Sequence, residues 1–363
     1  MYIQYTLILT ILFYLMYWVA TKNPQPIRNP FTRRFESNHY AVLVLVIMVI
    51  MLFLRTFVLA SSVSDILGYE RALNDIDELS WSSAITEDIG VRIETGYRLL
   101  MKLYSCLSTD INGFLFIHAL ISQILLYRIL KRFSASPFIS LTIYLIVMFC
   151  PSIYILRQYL AMLVLFNSIP YIIDRKPLPF IICTVIGVSI HNVSVVFFPI
   201  YFLYGIKSNW KLILALVLIF VGLKVSFTAV YYYFGDAVFS GLYDTYLYTD
   251  KYEGSNYTES YIDLCILLAY VAIAWKHILG SEMDKLLFIA MCMGFSISFA
   301  GTSLPLVGRL ALYYTFAMVL VIPRIMSYIN PSFIKYAFAI VVLGLMYMAF
   351  FNDENMHSYR LIF

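Results

Sequence analysis

Long apolar runs alternate with short charged or turn-rich breaks along almost the whole chain. Most runs approach the length of about 20 residues that an α-helix needs to cross a hydrocarbon core about 30 Å thick. Candidate spans lie near residues 2–20, 40–60, 112–130, 138–155, 160–173, 179–204, 211–231, 261–276, 285–303, 309–323 and 333–350. The pattern predicts an all-α polytopic integral membrane protein with a single transmembrane domain over residues 1–363.

The run 179–204 is long for one span and carries His191 and Asn192 at its centre. The basic residues decide between one tilted helix and a hairpin that turns around these two residues. With a hairpin, the short basic segments all face one side, as the positive-inside rule requires of a cytoplasmic side. These segments are 21–39, 128–136, 174–178, 205–211, 276–285 and 324–335. We therefore predict a bent or re-entrant pair around His191, about 12 membrane segments in all, and both termini outside.

Two long loops, residues 61–111 and 232–260, fall on the outer side in this topology and are rich in Asp and Glu. In a bacterial inner-membrane protein, that side is the periplasm. The first loop contains SDILGYERALNDIDELSW and VRIETGYRLLMKLYSCL, whose apolar residues recur at spacings of three to four. This spacing predicts amphipathic helices at the membrane interface. The second loop is dense in tyrosine, which either anchors the loop at the interface or stacks on sugars.

Composition narrows the possible functions. Hydrophobic residues make up 62% of the 363 residues and charged residues 13%, against about 25% charged residues in soluble domains. A soluble enzyme is therefore excluded, and a net charge of +4 is too small for a nucleic-acid-binding surface. The five cysteines lack the spacing of a zinc site or a disulfide framework. We expect no metal, no cofactor and no nucleic-acid partner.

Polar side chains inside or beside apolar spans are costly, so each is a candidate functional residue. Four such features fall on the predicted outer side: Arg157 with Gln158; His191 with Asn192; Arg309 after Pro305 and Gly308; and Arg92, Glu94, Gly96, Tyr97 and Arg98 in the first loop. Arg55 joins them at the outer end of the second span. Structural alternatives stay open, namely snorkelling or a helix end for Arg157 and Arg309, a helix–helix hydrogen bond for His191, and an i,i+4 pair between Glu94 and Arg98.

Arginines from separate segments that converge on one outer face suit an anionic lipid head group. A guanidinium is a planar fork that holds phosphate oxygens with two N–H groups at once. The sequence therefore favours a membrane pocket for a phosphate or diphosphate.

The motifs ETGY (94–97), RQYLA (157–161), IHNVS (190–194) and GRLALYY (308–314) occur in this order, and Asp65 and Tyr69 precede them. Together they resemble the EpsG-like branch of the Wzy-type polysaccharide polymerases over roughly residues 50–320. The resemblance implies a metal-independent, inverting glycosyltransferase of the membrane-embedded GT-C type. Such an enzyme joins oligosaccharide repeat units carried on undecaprenyl diphosphate at the periplasmic face, with chain length set by the enzyme or by a regulator protein.

The chemistry assigns provisional roles. Arg157 and Arg309 are the candidates that stabilise the departing diphosphate, with Arg55 in support. Glu94 is the first candidate for the general base, followed by His191 and Asp65. The remaining candidates for substrate binding are Tyr69, Arg92, Tyr97, Arg98, Gln158, Asn192 and Tyr313.

Three other functions stay open. A flippase for lipid-linked sugars would also need basic residues, but it would carry them through a central cavity and often shows two related halves. No internal repeat is visible in this sequence. An O-antigen ligase shares the donor and uses a different acceptor, and a membrane acyltransferase would decorate the sugars. Only the resemblance separates the polymerase from the ligase.

Overall fold

The structure is a computed structural model that describes residues 38–58, 64–86, 93–149, 151–207, 209–239, 257–301, 307–330, 334, 337–342 and 344. Secondary structure within these residues is helical and includes no strand, which confirms the all-α prediction. The chain divides into two compact units, Met1–Tyr159 with Met346–Phe363, and Leu160–Leu345.

The first unit contains α1 (Asn38–Thr56), α2 (Ser64–Glu78), α3 (Ser83–Thr86), α4 (Thr95–Ser105), α5 (Ile111–Phe133), α6 (Pro137–Val147), α7 (Pro151–Tyr154) and the start of α8 (Leu156–Asn167). Helix α1 packs against α5 and α6, and α2 packs against α4 and α5. The helices α2 and α4 confirm the two predicted helices of the first long loop. Both are amphipathic, since α4 buries Tyr97, Met101 and Tyr104 along one face.

The second unit contains α9 (Ile169–Ile173), α10 (Pro177–Ile190), a 3-10 helix (Asn192–Phe197), α11 (Ile200–Tyr204), α12 (Asn209–Phe239), α13 (Tyr257–Gly280), α14 (Glu282–Ala300), α15 (Val307–Thr315) and α16 (Met318–Tyr328). Helix α14 is its centre and packs against α12, α13 and α15. A Cβ added at Gly294 of α14 would lie 2.6 Å from Thr315 Cγ2 and 3.1 Å from Thr315 N. Only glycine therefore permits this close approach of α14 and α15.

The run 179–204 is a hairpin, as the sequence predicts. Helix α10 ends at His191, whose extended backbone (φ −152°, ψ 110°) leads into the 3-10 helix. The two arms then run back along each other: the ring of Phe180 stacks on that of Tyr201 at 5.0 Å. Closer to the turn, a Cβ on Gly187 would lie 3.1 Å from Ser194 Oγ. Both contacts place the reversal at His191.

Basic segments meet at the open end of this hairpin. The Arg175 guanidinium donates to the Tyr201 carbonyl and lies over its ring at 4.0 Å. Lys285 Nζ donates to the carbonyls of Tyr204 (3.2 Å) and Ile206 (2.8 Å). Arg324 pairs with Asp284 at 3.1 Å, beside Lys285. Four of the segments predicted to face one side thus lie together within the second unit.

The described residues hold four helices long and apolar enough to cross a membrane, at Ile111–Phe133, Asn209–Ser226, Ser260–Gly280 and Glu282–Ala300. A fifth crossing is possible by length and composition if the pair Gly308–Thr315 and Met318–Tyr328, bent by 44°, counts as one span. The total of about 12 segments stays a prediction, and the candidate span 2–20 lies outside the described residues.

Two predicted elements have different limits in the structure. The candidate span 138–155 is divided between α6 and α7, because Pro151 lacks the N–H group that would continue the first helix. The predicted loop 232–260 is shorter at both ends, since α12 continues to Phe239 and α13 begins at Tyr257. Residues 240–256 lie outside the described residues.

Candidate functional site

Three predicted site residues meet in the first unit around Arg157. Its Nη1 forms an ion pair with Glu94 Oε2, and its Nε donates to the Tyr69 hydroxyl at 3.2 Å. The side chains of Arg157 and Glu94 keep 24% and 17% of their surface exposed. The pair is therefore sheltered and yet accessible to a ligand.

The ends of two helices place these charges. Arg157 is the second residue of α8, and Glu94 is the N-cap residue of α4 with φ −66° and ψ 148°. The Glu94 side chain makes no capping hydrogen bond to α4 and reaches Arg157 instead. Its backbone carbonyl accepts the hydrogen bonds that begin the helix, from the N–H groups of Tyr97 and Arg98. The backbone of Glu94 is thus fixed by α4, while its carboxylate is available to pair with Arg157.

Tyr97 lies beneath this pair and is fully buried. Its ring centroid lies 5.7 Å from that of Tyr69 and 6.0 Å from that of His118. Burial raises the pKa of Tyr97 well above the ordinary value for tyrosine, and the nearby charges of Arg157 and Arg55 oppose that rise. Its hydroxyl is buried and has no hydrogen-bonding partner among the described residues. Tyr97 is therefore a neutral donor between two arginines.

Arg55 is a buried cation, with 3% of the residue exposed. Its Nη2 donates to the Ser152 carbonyl at 2.8 Å, and its Cζ lies 4.7 Å from the centre of the Tyr159 ring. Its Nε and Nη1 are buried without a hydrogen-bonding partner among the described residues. Burying a charge is costly unless it is paired and hydrogen-bonded. Arg55 therefore has unused capacity for an anion.

Polar residues that sequence reasoning did not select support the two arginines. Tyr159, under the Arg55 guanidinium, shares a hydrogen bond of 2.7 Å with the Tyr144 hydroxyl. His118 Nε2 lies 3.1 Å from the carbonyl oxygen of Leu156, the residue before Arg157. These side chains lie within apolar runs, where tyrosine and histidine resemble ordinary packing residues. Of these residues, only His118 could have been selected from the sequence, because it is an ionisable group inside a predicted span.

A second group of predicted residues meets at the hairpin turn of the second unit. The rings of His191 and Tyr313 lie 6.3 Å apart, edge to face, and the Tyr314 hydroxyl donates to the Val196 carbonyl at 2.6 Å. Arg309 precedes Tyr313 by four residues on α15, which places both on one helix face. Asn192 is the first residue of the 3-10 helix. His191 and Tyr313 are thus in contact, with Asn192 next to the first in sequence and Arg309 one helical turn before the second.

The remaining predicted residues have simpler surroundings. Asp65 is exposed in the first turn of α2, where the helix dipole favours an acidic group. Arg98 is buried and donates to the Ser83 carbonyl at 3.5 Å, and Gln158 is buried beside Arg157 in sequence. Arg92 lies outside the described residues. Among the described residues, no group of three or more His, Cys, Asp or Glu side chains is placed to hold a metal ion.

Four helices in the described residues are long and apolar enough to cross a membrane. Together with the buried Arg55 and the accessible Arg157–Glu94 pair, they indicate a multi-pass membrane protein with a charged site. Comparison with protein families identifies the family to which this membrane protein belongs. The chain belongs to the EpsG family, whose profile matches residues 40–361. This is the family of Wzy-type polysaccharide polymerase-like proteins, and it indicates a role in polysaccharide polymerisation. No curated protein and no solved structure matches the chain.

Proposed function

We propose that the protein is a glycosyltransferase that joins undecaprenyl-diphosphate-linked oligosaccharide repeat units into O-antigen or exopolysaccharide. One observation carries the proposal: Arg55, with two nitrogens that have no partner among the described residues, and the Arg157–Glu94 pair lie around the buried Tyr97. Such a site offers positive charge for a departing diphosphate and a carboxylate for a proton. Family membership supplies the polymer chemistry.

The reaction assigns a task to each group. The hydroxyl oxygen at the non-reducing end of an incoming repeat unit attacks the anomeric carbon of the growing chain. The bond from that carbon to the diphosphate oxygen breaks, and its electron pair leaves with undecaprenyl diphosphate. Arg55 and Arg157 stabilise the negative charge that develops there, in a dry site where fixed donors act strongly. Glu94 accepts the hydroxyl proton. Because the hydroxyl attacks from the face opposite the departing diphosphate, the anomeric centre is inverted.

The hairpin of the second unit supports an outward-facing site. Its open end gathers Arg175, Lys285 and Arg324, which the positive-inside rule assigns to the cytoplasm. Helix α10 has 14 residues, so at 1.5 Å per residue the turn at His191 lies about 21 Å from that end. A hydrocarbon core is about 30 Å thick. His191 would then lie below the periplasmic surface of the inner membrane.

The group of residues at this turn provides a second set of substrate contacts. Within the second unit, Arg309 offers a guanidinium to an anionic group of a substrate, and Tyr313 and Asn192 offer hydrogen bonds to sugar hydroxyls. His191 is the second candidate for the general base because imidazole titrates near neutral pH. Asp65 is a third candidate, and its exposure on α2 makes it the weakest of the three. The GT-C architecture and a chain-length regulator as a partner belong to the same proposal.

Purified protein in lipid nanodiscs tests this function directly. We expect lipid-linked repeat units from the native host to yield a ladder of products, with one mole of free undecaprenyl diphosphate for each mole of glycosidic bonds formed. Each glycosidic bond releases one carrier, whereas a flippase releases none and a ligase forms a single bond. Carrier release without a ladder would reject polymerisation, and no release with an intact donor would reject glycosyl transfer.

A further inference from the structure

Two partners of Arg157, Glu94 and Tyr69, differ in how easily they can be exchanged. The Glu94 carboxylate is part of an ion pair whose two side chains both retain exposed surface. The Tyr69 hydroxyl, in contrast, belongs to a buried residue whose ring packs on the fully buried Tyr97. An anion that entered the site could replace the first partner and leave the second in place.

The pairing of Glu94 conflicts with its work as a base. In the ion pair, Glu94 Oε2 is engaged by the Arg157 guanidinium. A general base must instead lie within hydrogen-bonding reach of the proton that it takes. The Glu94 carboxylate would therefore become available to an acceptor hydroxyl only if another anion took its place on Arg157.

We propose that Glu94 is a displaceable counter-ion: the donor diphosphate takes its place on Arg157 and releases the carboxylate to accept the acceptor's proton. This inference rests on the proposed function. It makes the base available only after the donor has bound, so that the donor precedes the acceptor. Tyr69 is a positioning residue in this scheme, since its hydrogen bond to Nε holds the guanidinium while the partner of Nη1 changes.

The N-terminus of α4 can accommodate the released Glu94 carboxylate. Glu94 is the N-cap residue of α4, and its side chain makes no capping hydrogen bond. The first N–H groups of a helix and its dipole both attract a negative charge. The carboxylate can therefore turn toward the start of α4 without a change in its backbone. Two guanidiniums, Arg157 and Arg55, then face the more highly charged diphosphate.

Binding of farnesyl diphosphate to the protein in nanodiscs, measured by titration calorimetry, tests the exchange without catalysis. We expect Glu94→Gln to bind the probe about fivefold more tightly than wild type, because a competing, partly exposed ion pair has been removed. Arg157→Gln should bind at least tenfold more weakly. Tyr69→Phe should weaken binding and reduce the gain that Glu94→Gln gives. Glu78→Gln, which removes an exposed carboxylate at the end of α2, is the matched control and should bind as wild type does.

The outcomes separate the two proposals. If wild type binds the probe and Glu94→Gln binds equally or more weakly, Glu94 is part of a fixed clamp and the exchange is wrong, while the proposed function stands. If neither wild type nor Glu94→Gln binds, the diphosphate site itself is wrong and the exchange falls with it. Glu94→Ser is a second variant that removes the charge and keeps a favourable N-cap residue for α4. It should reproduce the tighter binding and so guards against misfolding of Glu94→Gln.

Discussion

Replacing Arg55 by methionine should abolish polymer formation and leave the protein about as stable as before. Arg55 is 3% exposed, and two of its nitrogens, Nε and Nη1, have no hydrogen-bonding partner among the described residues. Its favourable contacts are one charged hydrogen bond to the Ser152 carbonyl and one cation–π contact with Tyr159. A buried charge kept at this cost suggests selection for binding rather than for stability.

The opposing contributions to the free energy of unfolding are similar in size. The hydrogen bond contributes about 1.5–3 kcal/mol, and the cation–π contact about 0.5–2 kcal/mol. Against their sum stands the penalty of several kcal/mol for removing an incompletely paired charge from water. Methionine avoids that penalty and fills irregular space with its flexible side chain. We therefore expect the net change in unfolding free energy to lie within about 1 kcal/mol of zero.

The assay compares thermal unfolding in nanodiscs with product ladders from the same preparation. A change of about 1 kcal/mol corresponds to roughly 2–4 °C in Tm for a unit of this size. Arg71→Met, at an exposed arginine of α2, is the matched control and should keep both Tm and ladder. A loss of 8 °C or more in Arg55→Met with an intact ladder would refute the reasoning and make Arg55 a structural residue.

The structure yields further predictions. Arg157→Lys should lose the ladder because an ammonium cannot pair with Glu94 and Tyr69 in the same planar arrangement; a full ladder would reduce its role to simple charge. Gly294→Ala should destabilise the protein by about 1–3 kcal/mol through its clash with Thr315, whereas Gly222→Ala, with nothing within 4 Å, should not; equal unfolding curves would contradict the tight packing of α14 and α15. In a cysteine-free background, cysteine at Ser82 should react with an impermeant thiol reagent from outside, and cysteine at Lys176 only after permeabilisation; the reverse would invert the topology.

The distribution of basic residues predicts the hairpin from sequence alone. The run 179–204 could be one helix by hydropathy, and only the distribution of lysine and arginine around it favours a reversal at His191. The structure supplies the reason that this reversal is stable: Phe180 stacks on Tyr201, and Gly187 lets the arms approach. These contacts join residues far apart in sequence, so a pattern of types and spacings does not reveal them.

The partner of Glu94 is the clearest case of what sequence does not predict. Spacing of four residues on a helix offers Arg98 as a local partner. The structure pairs Glu94 with Arg157, 63 residues away, because the start of α4 meets the start of α8. The support from Tyr144 and Tyr159 was likewise hidden, since tyrosines in an apolar run resemble packing residues. His118 stands out as an ionisable residue in a predicted span, but its hydrogen bond to the Leu156 carbonyl could not be predicted. The sequence therefore predicts which residues are candidates, and only the structure shows which of them are paired.

The gel profile of surface polysaccharide from the native host tests the central claim most directly. The gene is deleted and then complemented with wild type, Arg157→Ala or Glu94→Gln, with equal protein levels verified by immunoblot. We predict that the deletion strain carries a single repeat unit and that only wild type restores the ladder. An unchanged ladder after deletion, or a full ladder from Arg157→Ala, would contradict polymerisation at this site.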